Sequence, residues 1–402
     1  MRHEFLKSWL ILFGLQAVLA CYLFSPFLAG RHYFAYLDVG ADTYSHMAAH
    51  AMRMARQFAQ EGWTGWSFEI GMGAPTAWLL GDAFVLLTQL GGPDHVLELR
   101  IWVYLLKIAL AGIFFLLLAR PWAARREAAV LMALAYSLCG YATVNGQWDG
   151  EANAYVFFPL MLWAVARHLR TGGVVALPVA VAVTLLAGTF FVAVGVSLGV
   201  ACAGFVALSD TPRAMLKAWA TRILPLAALG YLIAAPYVLP FALQLLDSPR
   251  VSGGAAWLHS VASQVLSVND PATLVAELGG LLHKDIFGVG NVHSGYGNYL
   301  EGPEFYIGVL PLLAIPQLWK GSGMERRALV VGLVAIAAYL LFPALRLAAM
   351  GFMVPYFRSS NLWVTLVLAL LALRGVDRVL IHGVNAKLLL AGCVGFAALL
   401  AI

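Results

Sequence analysis

The sequence predicts an all-α polytopic membrane protein with about 11 transmembrane helices, supplemented by amphipathic or re-entrant helices on its outer face. Three observations predict it. Of 402 residues, 62% are hydrophobic and only 11% are charged, against about one-quarter charged in an ordinary soluble domain. The mean hydropathy is +0.83. Long apolar runs recur along the whole chain and are broken by short charged stretches, a pattern of helices rather than of a barrel.

Spans are expected at about 8–29, 99–119, 128–145, 153–168, 174–189, 191–208, 223–246, 304–319, 327–342, 360–374 and 387–402. The first contains "VLAC", which weakly resembles a lipoprotein cleavage site, but the run is longer than a signal-peptide core and reads as a retained span. The stretch 43–58, "TYSHMAAHAMRMARQF", has a helical period, with His46, His50 and Arg53 on one face and Met47, Met54 and Phe58 nearer another. It reads as an amphipathic helix lying on the outer membrane surface. Its histidine pair could bind a metal, but the spacing fixes no third ligand. The run 77–91 is short and carries Asp82 in its middle, so it reads as re-entrant or interfacial. The four cysteines all lie in apolar runs without zinc-site spacing, and a disulfide framework is not expected.

Charge sets the orientation. If 77–91 does not cross, "MRHEFLK", "ARPWAARRE", "RHLR", "DTPRAMLKAWATR", "KGSGMERR" and "RGVDRVLIHGVNAK" share one side and hold 16 of the 25 Lys and Arg residues. The other side then holds 15 of the 20 acids. That satisfies the positive-inside rule with the N-terminus cytoplasmic. The net charge of +5 is dispersed over these short loops, and no nucleic-acid partner is expected. One domain, 1–402, results, with loops 30–98 and 247–303 forming its outer face. Their Trp and Tyr residues suit either sugar platforms or a membrane-interface belt.

Lys107 is the sharpest oddity, roughly 12 Å below the outer end of its span at 1.5 Å per residue. An ammonium at such depth costs about 2.5–3.5 kcal/mol on insertion scales, partly recovered by snorkelling. Its functional reading is a cation for a phosphate or carboxylate at the outer leaflet. Arg358 lies at similar depth, and Arg346 is a weaker third; a guanidinium fork suits phosphate oxygens, although such residues also serve as headgroup anchors. Among outer acids, Asp149 and Glu151 sit beside Asn145 and Trp148 in "NGQWDGEAN", a stretch equally suited to a plain turn. Asp42, in "DTYS", suits a helix N-cap.

At this point the chain resembles a family. "YLDVGADTYSHMAAH", "GMGAP" and "YLLKIALAG", followed by "AYSLCGYATVNGQW", "FFPLMLWAVARHL", "APYVLPFALQLLDSPR", "EGPEFYIGVLPLL" and "VPYFRSSNLWVTLVLALLAL", resemble the YfhO-like bacterial membrane proteins of the GT-C glycosyltransferase superfamily. The resemblance implies a GT-C-like fold in the bacterial inner membrane. It also implies an inverting glycosyltransferase that uses a polyprenyl-phosphate-linked sugar donor and an envelope glycan or lipid acceptor on the periplasmic or extracellular face. By alignment of "LDVGADTY" it makes Asp38 the catalytic acid residue of the first outer loop. Lys107 and Arg358 would then bind the donor phosphate. Asp42, His46, Asn145, Trp148, Tyr299 and Glu301 would line the substrate groove. No cofactor is required, and Asp38 with Asp42 leaves room for a divalent metal without needing one. Many relatives are much longer; a chain stopping at Ile402 inside an apolar run suits a short form, a truncated one, or one half of a two-part enzyme with a partner subunit.

Two other classes stand beside this one. A transporter or flippase would use intramembrane Lys107 and the small-residue spans near 174–208 as a path, though the long outer loops and lack of an obvious inverted repeat weigh against it. A non-catalytic scaffold of an envelope-glycan assembly is the third.

Overall fold

The computed structural model describes residues 2–35, 47–62, 64–69, 71–75, 82–146, 148–246, 263, 265, 267–283, 302–353 and 357–401. Helices dominate. Among the described residues the single ladder pairs Trp66–Ser67 antiparallel with Ala74–Pro75.

In chain order come α1 (Arg2–Leu23), α2 (Ser25–Leu28), α3 (Ala49–Glu61) and α4 (Ala83–Gln89). Next are α5 (Val96–Ala119), α6 (Arg126–Ser137), α7 (Gly140–Asn145) and α8 (Asp149–Thr171). They lead to α9 (Ala176–Leu186), α10 (Phe191–Leu208) and α11 (Pro212–Ala218), which runs through a π-helical turn, Trp219–Ile223, into α12 (Leu224–Leu246). The remainder is α13 (Pro271–Gly279), α14 (Val309–Ala314) with a 3-10 turn Ile315–Lys320, α15 (Gly323–Leu341), α16 (Ala344–Ala349), α17 (Arg358–His382) and α18 (Ala386–Leu400).

Five helical stretches among the described residues are long and apolar enough to cross a membrane: Glu4–Leu23, Val96–Ala119, Arg126–Asn145, Phe191–Leu208 and Pro212–Leu246. The chain is therefore a helical membrane protein. Its apolar content does the placing, since runs bounded by charge or by a loop become α5 and α10, within three residues of expectation.

Four expectations change in detail. The span 128–145 is interrupted between α6 and α7, where the Gly140 N–H donates to Tyr306 O at 2.7 Å. The span 304–319 is helical only from Val309. Before it, residues 302–307 form no helix and are mostly buried; the Phe305 N–H donates to Gly280 O at 2.7 Å, so backbone groups find partners without a helix. The expected 77–91 helix is α4 alone, and Asp82 caps it rather than sitting mid-helix; residues 76–81 lie outside the described residues. Finally, α3 turns His50, Ala51, Met54, Ala55 and Gln57 inward, and Ala51 and Ala55 pack on Val96 of α5. The surface helix thus covers protein with a mixed small and polar face.

α17 is the centre of the bundle. Every residue from Ser359 to Leu366 is buried, as in a helix surrounded by protein, and α17 touches α6, α8, α14 and α15. At Gly375 a Cβ would come within 2.3 Å of Ala314 O, so only glycine lets these two backbones meet.

Contacts link five of the six basic segments, and the sixth, "RHLR", lies two residues from a contact with one of them. Arg126 reaches Glu4 at 3.7 Å, and Arg374 donates to Glu325 at 2.9 Å. Arg327 donates to Asp210 at 3.1 Å, Arg378 to Lys320 O, and Arg222 lies beside Gly172, two residues past "RHLR". Asp377, 2% exposed, is the hub, accepting from Ala124 N at 2.9 Å and Arg125 N at 2.7 Å just ahead of α6. Asp377→Ala strands both donors. It is expected to cost about 2–3 kcal/mol, read as a lower unfolding midpoint in detergent; an unchanged midpoint would show that the brace contributes nothing.

A cation-lined pocket as the candidate functional site

α5 supplies the site's charge. Arg100, Tyr104 and Lys107 recur at intervals of four and three residues, which places them on one helical face. All are buried, at 8%, 6% and 3% exposure. Together with Val103 they form one wall of a cavity. The opposite wall is Phe84, Val85 and Thr88 of α4, while Phe34, Ala51 and Gly146 close it. The cavity volume is about 20 Å³, room for a water-sized group such as one anionic oxygen and its neighbour, not for a sugar ring.

The cavity's aromatic residues are placed by their own contacts. Tyr104 Oη donates to Ala142 O at 3.0 Å, tying α5 to α7. Its ring lies 4.7 Å from that of Phe34 and 5.7 Å from that of Phe24. Lys107 Nζ stands 5.1 Å from the centre of the Phe84 ring, close enough for a cation–π attraction that offsets part of the desolvation of a buried ammonium. Two buried cations thus line one face of α5 at the cavity wall.

The neighbouring groove residues divide. Asn145 is 3% exposed with its Nδ2 unpaired among the described residues. Its carbonyl accepts from Trp148 N at 3.1 Å, and Gly146 between them lines the cavity. Arg358 is not part of the cavity wall; its guanidinium stacks over Trp148 at 5.1 Å. The cation that shares the cavity with Lys107 is Arg100. On α3 the Arg53 guanidinium donates to His50 Nδ1. Arg346, read from sequence as a spare cation, is paired with Glu277 at 2.8 Å.

Asp38, Asp42, His46, Tyr299 and Glu301 lie outside the described residues, as do the side chains of Asp149 and Glu151. Among the described residues no three His, Cys, Asp or Glu side chains converge to hold a metal. Sequence reasoning missed Arg100, although its seven-residue spacing from Lys107 was the signal. It also missed Asn153 and its buried bond to Asp82, which joins distant segments.

A model of the family described as bacterial membrane protein YfhO matches residues 41–402, most of the chain. No curated protein matches it.

Proposed function

Because the chain belongs to the YfhO family of bacterial membrane proteins, we propose that it is a GT-C-type inverting glycosyltransferase. It moves a sugar from a polyprenyl-phosphate donor to an envelope glycan or lipid acceptor on the outer face of the bacterial inner membrane. One observation carries the reading: Arg100 and Lys107 are buried in the same cavity as Phe34, four residues before Asp38. Four residues of chain reach at most about 14 Å, so the proposal requires Asp38 no farther than that from Phe34 in the pocket wall.

In this mechanism Asp38 takes the proton of an acceptor hydroxyl as that oxygen attacks the anomeric carbon. The bond from that carbon to the phosphate oxygen breaks, the polyprenyl phosphate departs with the electron pair, and the centre inverts. Lys107 and Arg100 offset the charge growing on the departing phosphate. The sugar sits outside the small cavity, beside Asn145 and Trp148, with Arg358 on the far side of that indole. Asp42, His46, Tyr299 and Glu301 complete the groove. The basic segments face the cytoplasm. The count of about eleven crossings belongs to the same reading, with α8, α15 and α17, at 23, 19 and 25 residues, long enough to span.

Lys107→Met keeps an unbranched, flexible side chain of nearly the same length but removes the charge. Loss of a charge-assisted contact worth about 1.5–3 kcal/mol should weaken binding of a polyprenyl-phosphate donor at least about tenfold. Unchanged donor binding in a folded variant overturns the phosphate role. The mid-span position of Lys107 also suits a flippase. That second reading wins if the protein moves a lipid-linked sugar across vesicles while no sugar transfer occurs.

A further inference from the structure

We propose that Asp82 is a positioning residue of the cation pocket, fixing the α4 wall against Lys107 through Asn153. The inference rests on the reading that this pocket takes a lipid-linked phosphate. Asp82 is 5% exposed and has two jobs, one for each oxygen. Its Oδ1 accepts from Phe84 N at 2.9 Å and Val85 N at 3.3 Å, capping α4. Its Oδ2 accepts from Asn153 Nδ2 at 2.6 Å, and the same amide donates to Ala187 O at 2.6 Å. Asn153 is fully buried in α8, and Ala187 ends α9. One carboxylate therefore joins three elements.

The joint has little slack. At Gly150 a Cβ would approach Gly188 O to 2.9 Å, and Gly188 itself holds φ at +78°. α4 has only seven residues, well short of the roughly 12–15 that make an isolated helix marginal, so its position comes from its cap and its packing. The two residues whose N–H groups reach Asp82 are Phe84 and Val85, both in the pocket wall. The Phe84 ring faces the Lys107 ammonium at 5.1 Å and packs on Phe157 of α8 at 5.9 Å. Moving Asp82 moves the ring that steadies the cation. With both oxygens accepting N–H bonds and no place in the cavity lining, this carboxylate is built to hold a wall rather than to take a substrate proton.

The test uses the full chain in nanodiscs and a polyprenyl monophosphate probe. Asp82→Asn retains a cap oxygen but turns an NH2 toward the Asn153 NH2; Asp82→Ser caps without reaching Asn153; Asn153→Ala removes the link from the other side. Each is expected to raise the probe Kd about tenfold and to raise donor KM far more than it lowers kcat. The Asp82→Ser and Asn153→Ala effects should be non-additive, because both cut one link. A merely structural role would lower the unfolding midpoint while the folded protein bound the probe normally, and that result overturns the inference. So does a collapse of kcat with Kd retained. Lys107→Met separates the two levels: if it leaves Kd unchanged the phosphate reading fails, whereas weakened binding in Lys107→Met with normal binding in Asp82→Ser and Asn153→Ala removes the positioning role alone.

Discussion

Asp38→Asn is expected to lower sugar transfer at least about a hundredfold while donor binding persists. The substitution keeps the size of the side chain and one acceptor oxygen, but an amide has no basic lone pair for the acceptor's proton. Donor affinity should stay near the wild-type level if, as proposed, the phosphate is held by the buried cations of α5 and not by the loop that carries Asp38. Transfer from a polyprenyl donor in membranes gives the rate, and equilibrium binding of the same donor gives the affinity. Full transfer activity in the Asn variant would end the assignment of Asp38 as base. Loss of affinity in step with rate would instead make Asp38 a sugar ligand. The second largest effect concerns stability and lies away from the pocket.

Arg346→Ala should cost about 3–5 kcal/mol above about pH 8, where Glu277 is ionised, the range for leaving one member of a buried ion pair alone. Arg346 is 2% exposed and Glu277 0%. The guanidinium donates to Glu277 Oε1 at 2.8 Å and to Asn269 Oδ1 at 2.9 Å, and it lies 4.2 Å from the Phe357 ring. Asn269 closes the triangle by donating to the same Glu277 oxygen at 2.9 Å. Burial pushes the Glu277 carboxyl up to about 8, with the Arg346 charge pulling it down. A folded value above the unfolded 4.5 means that proton binding favours the folded state. That contribution is complete below the unfolded value and is lost as pH rises through the folded one. Removing Arg346 raises the carboxyl further, so the variant should be hurt less at pH 5 than at pH 9. Unfolding midpoints in detergent at both pH values check this, and equal losses would contradict it. Replacing both partners with apolar residues should cost less than Arg346→Ala.

The class of fold was legible because apolar length alone marks a spanning helix, as α5 and α10 show. Interruptions were harder. The stretch 302–308 carries Pro303 and Glu304 at the head of an apolar run, and its backbone pairs with Gly280 and Gly140, partners more than twenty residues away, instead of forming a helix. Asp82 was visible as an acid in the wrong place for a span; reading it as a cap needed only the apolar run after it. Its bond to Asn153, 71 residues on, left no local trace. The same holds for Arg346, whose partner Glu277 is 69 residues earlier. Arg100 was within reach of a period argument, since a second cation two turns from Lys107 shares its face. Asp38 came from resemblance, because no spacing around it specifies a base.

The enclosed position of α17 has a consequence for biogenesis. The ribosome delivers this helix after nearly everything that surrounds it, and its Asp377 grips Ala124 and Arg125, made 253 and 252 residues earlier. The helices made before it therefore complete their packing only once it is in place. A chain stopped before Arg358 lacks the helix against which α6, α8, α14 and α15 pack.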